Sequence, residues 1–180
     1  IVTFEVLENN GPGPAMAIGA QISRDIEAHE LGTFAQIECV ADSVSAAINS
    51  AGIATLGEVH FVQVKCPLLT AQRVADSVGP VATTDTLKSM GLSRGASALG
   101  VALALGEINI ATAKTTKIGI DTAVWSGRAS TSAGIELMGH EIVVLGMSDS
   151  WTGPLSIDHA VMTDAIDTAS VAQTLERLGV

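Results

Sequence analysis

The chain has 180 residues, 47% of them hydrophobic and only 16% charged, with a net charge of −10 and no cluster of Lys or Arg. That length allows one domain, or two very small ones, and a sizeable core. The charge balance weighs against nucleic acid and anionic membrane surfaces as partners, because both demand grouped cations. No stretch approaches 18 apolar residues, so no membrane span is expected. Aromatic residues are 3% and Tyr is absent. The core must therefore be aliphatic. A charged fraction below the usual quarter suggests that part of the surface is covered by another domain or subunit. The start, IVTFEV, has neither a Met nor a leader pattern, and reads as something other than a natural beginning.

Residues 1–7 read as a strand, and Asn9-Asn10-Gly11-Pro12-Gly13-Pro14 as a loop. Residues 15–22 are apolar enough for a second strand, and 25–30 for a short polar turn of helix. In residues 33–51, Phe34, Ile37, Val40, Val44 and Ile48 recur at steps of three and four, which predicts an amphipathic helix stopped by Gly52.

The run EVHFVQVKCPLLT, residues 58–70, predicts a buried strand ending near Pro67 and holding one cation, Lys65. Two readings of Lys65 are open. Held among apolar groups, its pKa falls and it becomes a usable general base. At a strand end, it reaches into water instead.

Residues 70–77 read as a helix capped by Thr70, broken at Gly79-Pro80, and residues 83–86 as a loop or helix entry. Residues 93–107 predict a helix of small residues. Ala96, Gly100 and Ala104 recur every fourth position, so another backbone can approach that face. Its interior glycines cost about 1 kcal/mol each, which close packing must offset. Arg94 would open this helix, where it is either a ligand-holding cation or a solvated one.

Residues 108–122 look irregular, 123–130 form a candidate strand, 141–147 a clear one, 150–154 a turn, and 157–179 a largely helical segment. The mixed order of strands and helices predicts an α+β fold, an α/β sandwich with a sheet backed by helices. In Ser130-Thr131-Ser132-Ala133-Gly134, a serine among small residues can expose a nucleophile beside free N–H groups, or can be an ordinary turn. No GxSxG elbow or Ser-His-Asp set is present, so lysine is the candidate base.

Two cysteines, Cys39 and Cys66, and four scattered histidines offer neither a disulfide framework nor metal-ligand spacing. Reduced thiols in the cytoplasm, no cofactor and no protein-held metal are expected.

VHFVQVKCPLLT, TTDTLKSMGLSRGASALGVALALGE and ASTSAGIELMGHEIVVLGMS, in that order, resemble the central repeat of the cyanuric acid hydrolase and barbiturase family of ring-opening amidohydrolases. The resemblance covers roughly residues 15–150. It implies one of three similar repeats around a pseudo-threefold axis, with a small cyclic imide-type substrate at the centre. Residues 1–14 would end a preceding repeat and 151–180 lead to a following one. It further implies Ser132 as nucleophile, Lys65 as base, Arg94 as a substrate-binding cation and the Ala133 N–H as a carbonyl donor. The family's structural metal would lie in the third repeat, outside this chain.

Since family members are much longer, the other repeats would come from more of the same protein, or from identical subunits in a homo-oligomer. The residues do not separate cyanuric from barbituric acid, and a non-catalytic trimeric binding module stays open.

Overall fold

The structure, a computed structural model, describes residues 13–179. The strand expected over residues 1–7 lies outside them. A four-stranded mixed sheet, in the order β1-β4-β2-β3, is built from Ala15–Ile22 (β1), Val59–Pro67 (β2), Ala129–Gly134 (β3) and Glu141–Ser148 (β4). β4 runs antiparallel to both β1 and β2, whereas β2 and β3 are parallel. The expected sheet backed by helices is what forms.

Helix α1 spans Phe34–Ser50, and the Thr33 hydroxyl caps it by accepting from the Ala35 N–H at 3.2 Å. Ile37, Val40, Val44, Ala47 and Ile48 are its buried stripe. Gly52, at φ 65°, turns the chain away in the left-handed region that suits glycine. Helix α2 is the short Ala71–Ala75, with the Thr70 hydroxyl accepting from the Arg73 N–H.

Helix α3 differs from expectation. It spans Thr86–Ala104 and starts at an Asp85 cap, whose carboxylate accepts from the Lys88 N–H at 3.0 Å. Arg94 therefore sits in the body of the helix and not at its opening. The first two turns escape the apolar pattern because Ser89 and Ser93 are fully buried polar residues. Partners from distant parts of the chain satisfy them: the Ser89 hydroxyl accepts from the Leu69 N–H, and the Ser93 hydroxyl from the Gln36 amide.

The small-residue face does receive a backbone. A Cβ added at Gly100 would lie 2.6 Å from the Val40 Cβ and 2.8 Å from the Ile37 carbonyl oxygen, so α1 and α3 pack in direct contact there. Both helices lie on one face of the sheet, over Val59, Val62, Val64 and Cys66 of β2 and Ile142 and Val144 of β4.

Three other boundaries moved. Residues 108–122 hold a one-turn helix, α4, over Ile110–Thr115, capped by Asn109. Residues 25–30 form turns without helix, and only Thr168–Arg177 (α5) of the C-terminal segment is helical. The third strand is β3, residues 129–134, rather than 123–130. Its sequence, ASTSAG, has no apolar run and becomes a strand through its pairing with β2.

Candidate active site

Residues on β2 alternate between two faces. Val62, Val64 and Cys66 are fully buried against the helices, whereas Gln63 and Lys65 project to the opposite face, which no helix covers among the described residues. In the parallel ladder Lys65 pairs with Ser132 and Gln63 with Ser130. Partnered residues on adjacent strands point the same way, with backbones about 4.8 Å apart. Lys65 and Ser132 are thus neighbours on the open face, near the C-terminal ends of two parallel strands.

Ser132 is exposed, and its hydroxyl makes no hydrogen bond to another described residue. The phase of the ladder is set by the Val62 N–H donating to the Arg128 carbonyl at 2.9 Å. In a parallel ladder the N–H groups of one strand point alternately to either side. That phase turns the Ser130, Ser132 and Gly134 N–H groups towards β2, and the Ala133 N–H outward. Among the described residues β3 is the edge of the sheet, and within them this outward N–H is left for a ligand beside the Ser132 side chain. The turn expected at Ser132 is a strand, yet an exposed hydroxyl next to an unpaired N–H still results.

Lys65 follows the second of its two readings. Its side chain is 41% exposed and forms an ion pair with Glu136. The Glu136 hydrogen bond and charge, with a smaller contribution from Glu141, raise its pKa above the usual lysine value. In this chain Lys65 is therefore an ammonium at neutral pH. The low pKa expected from burial is not found, because the alternation of β2 puts position 65 on the uncovered face.

Glu136 is the site residue that sequence reasoning missed. It lies two residues beyond β3 and folds its carboxylate back over Gly134. A Cβ at Gly134 would lie 2.6 Å from a Glu136 carboxylate oxygen, so that glycine leaves room for it. The available signal was a lone carboxylate inside the ASTSAGIE segment that also carries Ser132.

Arg94 is exposed on α3. No hydrogen bond joins it to Ser132 or Lys65 among the described residues, but it lies close enough to Cys66 for its charge to favour the thiolate. Burial is the larger influence and pushes the Cys66 thiol up. The Cys66 thiol donates to the Ser132 carbonyl at 3.2 Å, which ties the ends of β2 and β3 together. Arg94 thus comes to the same end of the sheet as Lys65 and Ser132, from the helix side.

Behind this end lies a buried polar set. His140, immediately before β4, is fully buried. Its Nε2 is 2.9 Å from the Gln36 amide nitrogen and its Nδ1 3.0 Å from the Ser23 hydroxyl. Burial drives its pKa down to about 4, so the ring is neutral. The set fixes the entry to β4, whose first residue, Glu141, pairs in register with Lys65. Cys39 and Cys66 are both free thiols and both buried.

The family model for the amidohydrolase ring-opening protein (Amido_AtzD_TrzD) matches residues 2–180. A cyanuric acid amidohydrolase of Azorhizobium caulinodans is 54% identical over 99% of this chain and 51% of its own length. One from Methylobacterium sp. (strain 4-46) is 53% identical over 96% of this chain and 47% of its own. The crystal structure of the cyanuric acid hydrolase from A. caulinodans superposes with a TM-score of 0.89, covering 96% of this chain and 50% of that one. The chain thus spans about half the length of the curated relatives it matches. With a family match across nearly its whole length and half its residues shared with such relatives, the chain belongs to the ring-opening amidohydrolase family.

Proposed function

We propose that this protein opens the ring of cyanuric acid by hydrolysing one C–N bond, with Ser132 as nucleophile and Lys65 as its base. The observation that carries this reading is the in-register pairing of Lys65 with exposed Ser132 on the open face, in a chain so similar to cyanuric acid amidohydrolases.

The chemistry follows from the geometry. Neutral Lys65 takes the proton as the Ser132 hydroxyl oxygen bonds to a ring carbonyl carbon. The Ala133 N–H donates to the developing oxyanion. The C–N bond then breaks, the ring nitrogen takes the proton from the Lys65 ammonium, and a carbamoyl ester on Ser132 remains. Water, deprotonated by Lys65, attacks that ester. The Ser132 oxygen leaves with a proton, releasing an open-chain carbamic acid. Arg94 supplies a cation for carbonyl oxygens or for an ionised ring. These steps run on side chains and backbone alone.

Lys65 must be neutral to start, and Glu136 holds it protonated in this chain. The active arrangement therefore requires the Glu136 contact to be displaced. Further repeats of the same protein around a pseudo-threefold axis, or identical subunits in a homo-oligomer, would complete the walls and cover the open face. In this scheme residues 15–150 are the central repeat, 1–14 are the end of a preceding repeat and its linker, and 151–180 are the linker helix towards a following repeat. With two free, buried thiols, the reading places the protein in the cytoplasm.

The test is turnover of cyanuric acid by the full-length protein, with barbituric acid as the competing ring. Ser132→Ala and Lys65→Ala should each abolish ring opening while leaving circular dichroism and native mass unchanged. Full turnover in Lys65→Ala would remove the lysine from the base role. Preference for barbituric acid would move the substrate assignment to that ring.

A further inference from the structure

The four histidines show no ligand spacing in the sequence, yet the fold brings two of them into contact. The register of β2 against β4 shifts between Val59 and Phe61, making His60 the extra residue of a bulge. Bulges re-aim side chains, and both His60 and Phe61 stay off the buried face while Val59 and Val62 occupy it. Asp158 and His159 arrive on the segment between β4 and α5. The two Nδ1 atoms are 2.9 Å apart, and Asp158 Oδ1 lies 3.4 Å from His60 Nδ1 and 4.0 Å from His159 Nδ1.

We propose that His60, Asp158 and His159 form a binding site for one zinc-type divalent transition-metal ion, ligated by the two Nδ1 atoms and Asp158 Oδ1, with a fourth position left to water. Zinc takes nitrogen and carboxylate ligands at about 2.0–2.2 Å in a tetrahedron, which sets ligand atoms about 3.3–3.5 Å apart. The three observed separations bracket that spacing. An ion would need the histidine rings to part, and His159 to approach the carboxylate, by roughly half an ångström.

The donor set of two imidazoles and one carboxylate suits zinc, cobalt, nickel or copper rather than magnesium or calcium, which prefer all-oxygen shells. All three residues are half-buried. His60 and Asp158 line one surface cleft with Glu58 and Arg177, and Asp158 and His159 line a second.

The surroundings orient the ligands. Arg177 Nε donates to Asp158 Oδ2 at 2.6 Å, and the His159 N–H donates to Oδ1 at 2.7 Å, so Oδ1 is held towards the imidazoles. Such outer contacts commonly set ligand geometry. The Arg177 charge opposes a cation and holds affinity below that of an unopposed site of this kind. Without an ion the same atoms make an N–H···N hydrogen bond between the rings, tying β2 to the segment before α5.

The site is separate from Ser132. His60 lies five positions before Lys65 on β2, about 16 Å along the strand.

The full-length protein, stripped with a chelator, would be titrated with zinc chloride by calorimetry and with cobalt chloride by visible absorption. The expected result is one equivalent of zinc that His159→Ala and Asp158→Asn each weaken at least tenfold or abolish. Cobalt should give the intense visible bands of a four-coordinate ion, lost in both variants. His159 is partly exposed on an irregular segment and Asp158→Asn keeps its shape, so both should fold, as circular dichroism would verify. Any metal bound elsewhere is common to all forms and cancels in the difference. Equal zinc uptake by wild type and both variants, or no uptake by wild type, would overturn the proposal.

Discussion

The two faces of one sheet have opposite characters. On the helix side, Val62, Val64, Cys66, Ile142 and Val144 are at most 1% exposed, and His140 is sealed in with Gln36 and Ser23. On the other side the same strands present Phe61, Gln63, Lys65 and Ser132 without a helix over them, and Phe61 is 36% exposed. Adjacent residues of β2 thus serve different ends: one set holds the fold and the other carries the side chains of the proposed site. Substitutions should separate along this line. Those on the open face should change turnover and spare stability, and those on the closed face should do the reverse.

The largest expected effect is at Ser132. Ser132→Ala should lower turnover by at least about a thousandfold, as expected for loss of a nucleophile, with the thermal midpoint unchanged. A fall in midpoint comparable with that of a core variant would break the division between faces.

On the closed face, His140 provides a pH test. Its folded pKa of about 4 lies below the ordinary value of 6.5, so the unfolded chain binds the extra proton between them. This contribution to stability is fully present above the unfolded pKa and is lost as pH falls from about 6.5 through 4. It amounts to on the order of 3 kcal/mol. Urea unfolding of wild type and His140→Gln across that range should show a steeper acid loss in wild type.

A smaller effect is expected from Gly100→Ala, which forces a methyl group into Val40 and the Ile37 carbonyl. Overpacking of this kind costs about 1–3 kcal/mol. It should lower the urea midpoint while leaving the turnover of folded protein unchanged.

The finest test is Glu136→Gln. Glu136 raises the Lys65 pKa, so its removal should lower it. A base that works when deprotonated would then reach full activity at lower pH, and the acid limb of the kcat/KM profile should shift downward. An unshifted limb would mean that Glu136 is already displaced from Lys65 in the working enzyme.

Where apolar periodicity and turn chemistry act locally, the sequence was a good guide. β1, β2 and β4 stand where their apolar runs predict. α1 lies within its predicted span, with Thr33 as cap and Gly52 just beyond its end. The close approach of a backbone to the Ala96–Gly100 face also follows from residue size alone. Legibility fails where polar residues are drawn into structure by partners distant in the chain. Ser89 and Ser93 hid the first half of α3, and with it the true position of Arg94. β3 has no strand signature of its own, and the carboxylate of Glu136 joins the site only because the chain folds back at Gly134.

The sequence by itself determined β1, β2, β4 and α1, the aliphatic core and the family, because propensity, periodicity and long motifs are written in neighbouring residues. It also supplied Lys65 and Ser132 as candidates. Only the tertiary structure decided that they pair in register on an uncovered face, that Lys65 is an ion-paired ammonium, and that His60 meets His159. Each of these depends on groups far apart in the chain. Strand register, sheet face and local charge set them, and no local pattern records those.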